Sequence, residues 1–182
     1  MHILLTRPFE DCSEMILKFT KLGHKVSHLP LLKIESIKHK IINFSDFKAI
    51  IFTSANAIKF LDIDNLDKDI YCFCVGNATE KKARGMGFQN VFAAEGNVSN
   101  LKEIIYKNFN QSNGKILYLS GELLSSDLDK ELVCDGYNLE RVINYRTKHN
   151  EVFDDKFVEQ LKLNIPEIVY IYSQNSALSF LN

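Results

Sequence analysis

Residues that are mostly small or polar follow several of the apolar runs of this chain, at the points where the runs end. They are Thr6 and Arg7; Thr53, Ser54, Ala55 and Asn56; Gly76, Asn77 and Thr79; Ser120, Gly121 and Glu122; and Ser173 and Gln174. If each group opens a helix, unpaired backbone N–H groups there can bind carboxylate or phosphate. The same residue types are also the N-caps that any helix favours. Two interpretations therefore stand, a set of helix caps or a cleft that receives anions.

Other catalytic patterns are missing from the sequence. No dinucleotide-binding glycine motif follows a strand, and no phosphate-binding loop, nucleophile elbow or zinc-protease motif occurs. The histidines are scattered and no acidic pair stands out. The residues alone indicate a binding site without an evident nucleophile.

The cysteines predict neither a metal site nor a function. Cys72 and Cys74 alternate in one apolar run, so both should point to one side of a strand. Cys12 and Cys134 lie in helix-like stretches, far from any histidine at a ligand spacing. We expect buried or idle thiols and no metal.

Composition excludes several classes of protein. The 22 basic and 23 acidic side chains of this 182-residue chain leave no basic surplus for nucleic acid. No apolar run reaches the ~20 residues of a membrane span, and the start is too quickly polar for a signal peptide. A cytoplasmic protein is expected, with no nucleic-acid or membrane partner.

Strands and helices alternate along the sequence. Short β-rich runs occur at 2–5, 25–29, 48–52, 70–75, 90–92, 115–119, 138–143 and 167–172. Amphipathic segments lie at 11–22, 55–62, 78–86, 98–109, 123–134 and 154–163. This order predicts an α/β fold with parallel sheets that helices cover on both faces. Gly23, Gly87 and Gly136 each follow a helix, where a left-handed residue ends it.

Two extended stretches interrupt the alternation and predict two lobes. Residues 31–43 and 143–150 read as linker strands around a complete block at 44–142. The first lobe is then discontinuous, made of 1–30 and 151–182, and each lobe is a doubly wound, flavodoxin-like parallel sheet. A single continuous sheet with long loops is the alternative, although such loops are uncommon in compact domains.

An internal repeat supports two lobes. Residues 49–61 align without gaps with 169–181, each reading as a buried strand, a hydroxyl residue, a polar turn and a helix with Phe-Leu. The first copy is followed by a long stretch of chain and the second by Asn182 alone. The first lobe is therefore expected to be incomplete.

Several short motifs, in order along the chain, resemble uroporphyrinogen-III synthase. They are Thr6-Arg7-Pro8; Thr53-Ser54-Ala55-Asn56-Ala57; Gly76-Asn77-Ala78-Thr79 leading to Gly87-Phe88; Ser120-Gly121-Glu122; and Tyr145-Arg146-Thr147. Each motif is weak, but their order and spacing across the whole chain are fairly specific. That family's fold, two α/β lobes joined by a two-stranded ladder, matches the layout above.

The resemblance implies a reaction. Members take the linear tetrapyrrole hydroxymethylbilane, remove water from its terminal hydroxymethyl carbon, invert the D ring and close the macrocycle, without cofactor or metal. Helix N-termini would hold the substrate's carboxylates, and Tyr145 would donate a proton to the leaving hydroxyl or position it. A monomer is expected.

The ending departs from the family pattern. Members continue past the second strand and its serine turn with further βα units, whereas this sequence stops at Asn182. The resemblance therefore leaves open whether the substrate site is complete and active. The rival interpretation is a two-lobe, non-enzymatic protein that binds or senses small anions.

Overall fold

The structure, a computed structural model, describes residues 1–61, 66–150 and 153–181. It divides into two compact units, Met1–Ile34 with Thr147–Asn182, and Glu35–Arg146. Both boundaries fall inside the stretches that the sequence analysis assigned to linker strands. Among the helices of the described residues, none has the length and apolar character needed to cross a membrane.

The secondary-structure elements alternate as βα units over most of the chain. In chain order the described elements are β1 (His2–Leu5), α1 (Phe9–Lys21), β2 (Lys25–His28), β3 (Leu32–Ser36), β4 (Phe47–Phe52), α2 (Ala55–Lys59), β5 (Tyr71–Val75), α3 (Asn77–Gly85), β6 (Val91–Ala94), α4 (Val98–Asn108), β7 (Lys115–Gly121), α5 (Leu128–Cys134), β8 (Leu139–His149), α6 (Asp155–Leu163), β9 (Ile168–Tyr170) and α7 (Gln174–Leu181). Short 3₁₀ turns precede β4 and β7.

The unit Glu35–Arg146 is built on one sheet. Its strand order, within the described residues, is β3-β8-β7-β4-β5-β6, and the pairs β4/β5, β4/β7, β5/β6 and β7/β8 are parallel. Successive residues of β4 serve opposite faces, since Ile50 packs in one core cluster and Ile51 in the other. Burial on both faces explains why the strands read as continuous apolar runs.

The other unit has a smaller sheet. Its described strands follow the order β2-β1-β9, and β1 is parallel to both neighbours. Ile3, Leu5 and Cys12 form its buried core. The predicted α/β class with parallel sheets in two lobes is confirmed.

One helix begins later than predicted. The helix predicted over 123–134 begins only at Leu128, whereas the strand predicted over 138–143 and the linker strand predicted over 143–150 form the single strand β8. The β7/β8 ladder extends further than expected, because the N–H of Glu122 still donates to the carbonyl of Tyr145 at 3.0 Å. The chain therefore leaves the sheet later. The helix predicted over 55–62 ends at Lys59, and residue 62 lies outside the described residues.

A β-bulge in β8 carries an extra residue. Ser120 pairs with Ile143 and Gly121 pairs with Tyr145, so Asn144 is additional in the ladder. Asn144 is buried, and its Nδ2 donates to the carbonyl of Ala57 at 2.7 Å. Bulges locally bend a strand and re-aim the neighbouring side chain. Here the neighbouring side chain is Tyr145.

We expect Asn144→Ala to destabilise the unit that contains it. The carbonyl of Ala57 loses its buried donor, and an unsatisfied buried group costs about 1–3 kcal/mol of unfolding free energy. Denaturant unfolding measures the change. Asn138→Ala is the matched control, because Asn138 is exposed, and it should alter stability by less than about 0.5 kcal/mol. Equal, small effects of both variants would contradict this account of the bulge.

Candidate functional site

A pocket of about 460 Å³ lies at the carboxyl ends of the strands of the unit Glu35–Arg146. We call it the strand-end pocket. Its lining residues are Thr53, Ser54, Val75, Gly96, Asn97, Val98, Ser99, Tyr118, Gly121, Leu123, Leu124, Ser125, Ser126 and Tyr145. In parallel α/β sheets this edge is where ligands bind.

Two hydroxyl residues after β4 enter the strand-end pocket. Ser54 is the N-cap of α2, and its Oγ accepts from the N–H of Asn56 at 3.2 Å. Thr53 Oγ1 and the hydroxyl of Tyr118 share a hydrogen bond at 3.0 Å. The cap uses Ser54 Oγ as an acceptor only, so its hydrogen remains available to donate to a ligand oxygen.

Tyr118 is a buried, neutral hydroxyl at the base of this site. Its side chain is 1% exposed, and burial raises the pKa of Tyr118, although the hydrogen bond with Thr53 and the charge of Arg141 act in the opposite direction. The phenol therefore remains protonated at neutral pH and can take part in hydrogen bonds as donor or acceptor.

The loop between β6 and α4 also lines the strand-end pocket, although the sequence did not lead us to predict it. Asn97 is the N-cap of α4, with its Oδ1 accepting from the N–H of Asn100 at 3.0 Å, and Val98 and Ser99 form the first helical turn. The strand was predicted to end at residue 92, whereas β6 ends at Ala94, so the loop that begins after Ala94 was not recognised as following a strand end. Gly96 and Asn97 immediately before an amphipathic segment were the available signal. Residues 123–126 were missed because they were assigned to a helix.

Tyr145 lies against Gly121 across the β7/β8 ladder. A Cβ added at Gly121 would come within 2.9 Å of Tyr145 Cζ and 3.0 Å of its hydroxyl oxygen. The glycine thus leaves the space that the phenol end of the ring occupies. Tyr145 belongs to the lining of the strand-end pocket, and no hydrogen bond of its hydroxyl is found among the described residues. It is available to a bound molecule.

Other predicted site residues of this unit lie beside the pocket and outside its lining. They are Ala55 and Asn56 in α2, Gly76, Asn77 and Thr79 at the start of α3, and Ser120 and Glu122 around the end of β7. Thr79 and Ser120 are 4% and 1% exposed, and Ser120 Oγ donates to the carbonyl of Gly121 at 3.1 Å. Gly76 has a positive φ of 80°, which brings the chain from β5 into α3. Their binding of a ligand stays a prediction.

The predicted residues of the other unit make mostly internal contacts. Thr6 is buried, and its hydroxyl donates to the carbonyl of Tyr170 at 2.6 Å. Arg7 is exposed, with its guanidinium 4.7 Å from the centre of the Tyr172 ring. Ser173 Oγ accepts from the N–H of Ser176, as an N-cap of α7 does. The side chain of Gln174 lies outside what the structure describes.

Metal-ligating residues do not cluster in the part of the chain that the structure describes. No group of three or more His, Cys, Asp or Glu side chains there could hold an ion. Cys72 and Cys74 are buried side by side with their sulfurs 3.7 Å apart, and their hydrogen bond and burial raise the pKa of Cys72. Both thiols lie in the hydrophobic core, and neither lines the strand-end pocket.

We expect Gly121→Ala to displace the Tyr145 ring. The new Cβ would meet the far end of a side chain that can move, so the fold should survive with a small loss of stability. NMR resonances of the Tyr145 ring should shift, and thermal unfolding measures the stability. Gly85→Ala is the matched control, because a Cβ at Gly85 meets nothing within 4 Å. Unchanged Tyr145 resonances in Gly121→Ala would contradict the contact.

Comparison with known proteins identifies the family. The family model described as uroporphyrinogen-III synthase HemD matches residues 13–182. Among solved structures, uroporphyrinogen-III synthetase from Helicobacter pylori aligns with a TM-score of 0.65 and 19% identity, over 99% of this chain and 76% of that one. A mutant uroporphyrinogen III synthase from Thermus thermophilus aligns with a TM-score of 0.57 and 12% identity, over 100% and 76%. No curated protein matches.

The solved structures establish a shared α/β fold, since identities this low carry no more than that. The family model covers nearly the whole chain, and it confirms the resemblance carried by the ordered motifs. On these two findings together, the chain belongs to the uroporphyrinogen-III synthase family.

Proposed function

We propose that this chain converts hydroxymethylbilane to uroporphyrinogen III and that its strand-end pocket is part of the active site. The observation that carries the proposal is Tyr145, which lines the pocket and whose hydroxyl has no hydrogen-bond partner among the described residues, in a chain of this family. The reaction removes water from a hydroxymethyl carbon and joins that carbon to the far ring. A hydroxyl donor beside the substrate is the group such a step requires.

The substrate supplies most of the reactivity. Its C–O bond breaks with the electron pair leaving on oxygen, and the lone pair of the adjacent pyrrole nitrogen stabilises the resulting cation. The oxygen leaves as water once it gains a proton. Inversion of the D ring requires attack by the α-carbon of that ring that already carries its bridging methylene. The bond from the ring to that methylene then breaks, the methylene rejoins the ring at its free α-carbon, and this carbon loses its proton to restore the ring's aromaticity. The protein has to protonate the leaving oxygen and to hold the two chain ends together.

Tyr145 is suited to assist the departing hydroxyl. A phenol can donate its hydrogen to the leaving oxygen, and the phenol end of the ring lies beside Gly121, where a side chain would collide with it. The role acts only while the C–O bond breaks. It therefore lowers the barrier without adding to substrate affinity.

Neutral hydrogen-bond donors of the strand-end pocket are proposed to hold the substrate's carboxylates. Among the described residues that line it, none is acidic or basic, whereas hydroxyls and the N-terminus of α4 are present. The first N–H groups of an α-helix lack intrahelical acceptors and carry partial positive charge. Such donors bind a carboxylate without ion-paired side chains, so a flexible polyanion can be bound and released.

We also propose that the protein works in the cytosol as a monomer. The thiols Cys12, Cys72, Cys74 and Cys134 are all free, which fits a reducing compartment. Cell fractionation tests the location, and light scattering coupled to gel filtration tests the monomer.

The decisive experiment is the isomer assay. The protein is incubated with enzymatically generated hydroxymethylbilane, the products are oxidised, and the I and III porphyrin isomers are separated. Spontaneous closure gives the uninverted type I isomer, so type III above the no-enzyme blank is the expected result. Tight binding of the tetrapyrrole with type I alone would replace the proposal with a non-enzymatic binding protein.

Tyr145→Phe should lower kcat while leaving KM nearly unchanged. The loss removes a donor that acts in the transition state, and general acid assistance contributes roughly 10²–10⁴-fold. Steady-state formation of the type III isomer measures it. Tyr71→Phe is the control, because Tyr71 lies at the amino end of β5, whereas the pocket lies at the carboxyl ends of the strands. Retention of more than half of kcat in Tyr145→Phe would exclude the role.

The double variant Thr53→Val, Ser54→Ala should bind a tetrapyrrole polycarboxylate more weakly. Each lost hydrogen bond to a charged oxygen is worth about 1.5–3 kcal/mol of binding free energy. Fluorescence titration with uroporphyrin measures affinity, and circular dichroism shows that the fold is retained. Thr20→Val with Ser36→Ala is the matched control at exposed positions outside the pocket. Equal affinities of the two double variants would show that Thr53 and Ser54 do not bind the polycarboxylate.

A further inference from the structure

Arg141 makes a dense set of contacts to the chain that follows β7. Its Nε donates to Ser120 Oγ at 2.8 Å, and its Nη2 donates to the carbonyls of Gly121 at 2.9 Å and Glu122 at 3.2 Å. On its other side, Nη1 lies 3.7 Å from Asp129 Oδ2 at the start of α5. One guanidinium thus holds two consecutive backbone carbonyls and the first turn of a helix.

The segment that Arg141 holds is the one against which Tyr145 rests. Gly121 is the ladder partner of Tyr145, and the N–H of Glu122 donates to the carbonyl of Tyr145 at 3.0 Å. The phenol end of the ring lies within 3.0 Å of the place where a Cβ on Gly121 would be. A shift of this segment would therefore move both the main chain and the ring of Tyr145.

We propose that Arg141 is a positioning residue for Tyr145, acting through the backbone of residues 120–122. The inference rests on the proposed role of Tyr145 and extends it to a residue outside the strand-end pocket. A guanidinium is required, since its planar fork donates in several fixed directions at once, whereas an ammonium donates from a single point. The geometry of the fork fixes how far Gly121 stands from β8, and with it the place of the Tyr145 hydroxyl.

A merely structural role would give a different result. If Arg141 only stabilised the turn before α5, its loss would lower thermal stability and leave the ring of Tyr145 in contact with Gly121. A positioning role loses that contact and lowers kcat more than it alters KM. Both measurements are needed, because the first does not depend on any enzymatic activity.

Arg141→Lys is the test variant, and Arg84→Lys is its matched control. Arg84 also spans two elements, with Nη2 donating to the carbonyl of Val91 at 2.9 Å and Nε to Glu80 at 2.9 Å, but it holds the start of β6, away from the strand-end pocket. NMR on the full chain follows the nuclear Overhauser contact between Gly121 Hα and Tyr145 Hε. We expect this contact to fall several-fold in Arg141→Lys and to persist in Arg84→Lys.

The kinetic measurement uses type III isomer formation. We expect kcat to fall roughly ten- to a hundred-fold in Arg141→Lys with KM within about two-fold, since misplacing a reacting group by about 1 Å has effects of this order. In a Tyr145→Phe background, Arg141→Lys should have no further effect on kcat. An equal loss in both backgrounds would overturn the proposal, as would a persistent Gly121–Tyr145 contact in Arg141→Lys.

The two proposals fail separately. If the parent chain forms no type III isomer, or if Tyr145→Phe retains more than half of kcat, the proposed function of the site falls, while the Gly121–Tyr145 contact still decides whether Arg141 positions the ring. If Arg141→Lys does not fold, Ser120→Ala takes its place. It removes the Oγ that receives Arg141 Nε, and the same contact should weaken while Arg84→Lys keeps it.

Discussion

The arrangement of the site depends on the pairing of β7 with β8 and on its bulge at Asn144. In a regular strand, residues three apart face opposite sides of the sheet. Val142 and Tyr145 nevertheless pack against the same core cluster, because the extra residue between them changes the alternation. Asn144 holds the bulge in place by donating to the carbonyl of Ala57. Without that bulge, Tyr145 would turn to the other face of the sheet.

The polar residues that follow the strands divide into two kinds. Thr6, Thr79 and Ser120 are buried, and the hydroxyls of Thr6 and Ser120 donate to carbonyls of their own unit, so these two stabilise the ends of the strands. Thr53 and Ser54 are partly exposed and line the strand-end pocket. Residue type does not separate the two kinds. Burial does, and burial depends on the residues that pack above each strand end.

The sequence was sufficient for the strands of the central sheet, since burial on both faces leaves continuous apolar runs. It was also sufficient for the helix ends at Gly23, Gly87 and Gly136, each of which has the positive φ that only glycine adopts readily. It failed where distant residues decide the local structure. Ser120, Gly121 and Glu122 stay in the ladder because Arg141 and Tyr145, some twenty residues later, bind them. No local pattern records such a contact, so the late start of α5 and the bulge were not predictable.

The proposed reaction would explain why none of the described residues that line the strand-end pocket is acidic or basic. Pyrrole nitrogens stabilise the cation that forms when water leaves, so the protein has no charge to create and no nucleophile to activate. A charged donor would bind the substrate's many carboxylates tightly and in several alternative places. Hydroxyls such as Thr53 and Tyr118, which bond to one another at 3.0 Å, offer weaker and directional bonds. In the proposed site, the position of these donors selects one folded arrangement of the substrate, and the proposed role of Arg141, together with the contacts of Gly121 and Asn144, maintains that position.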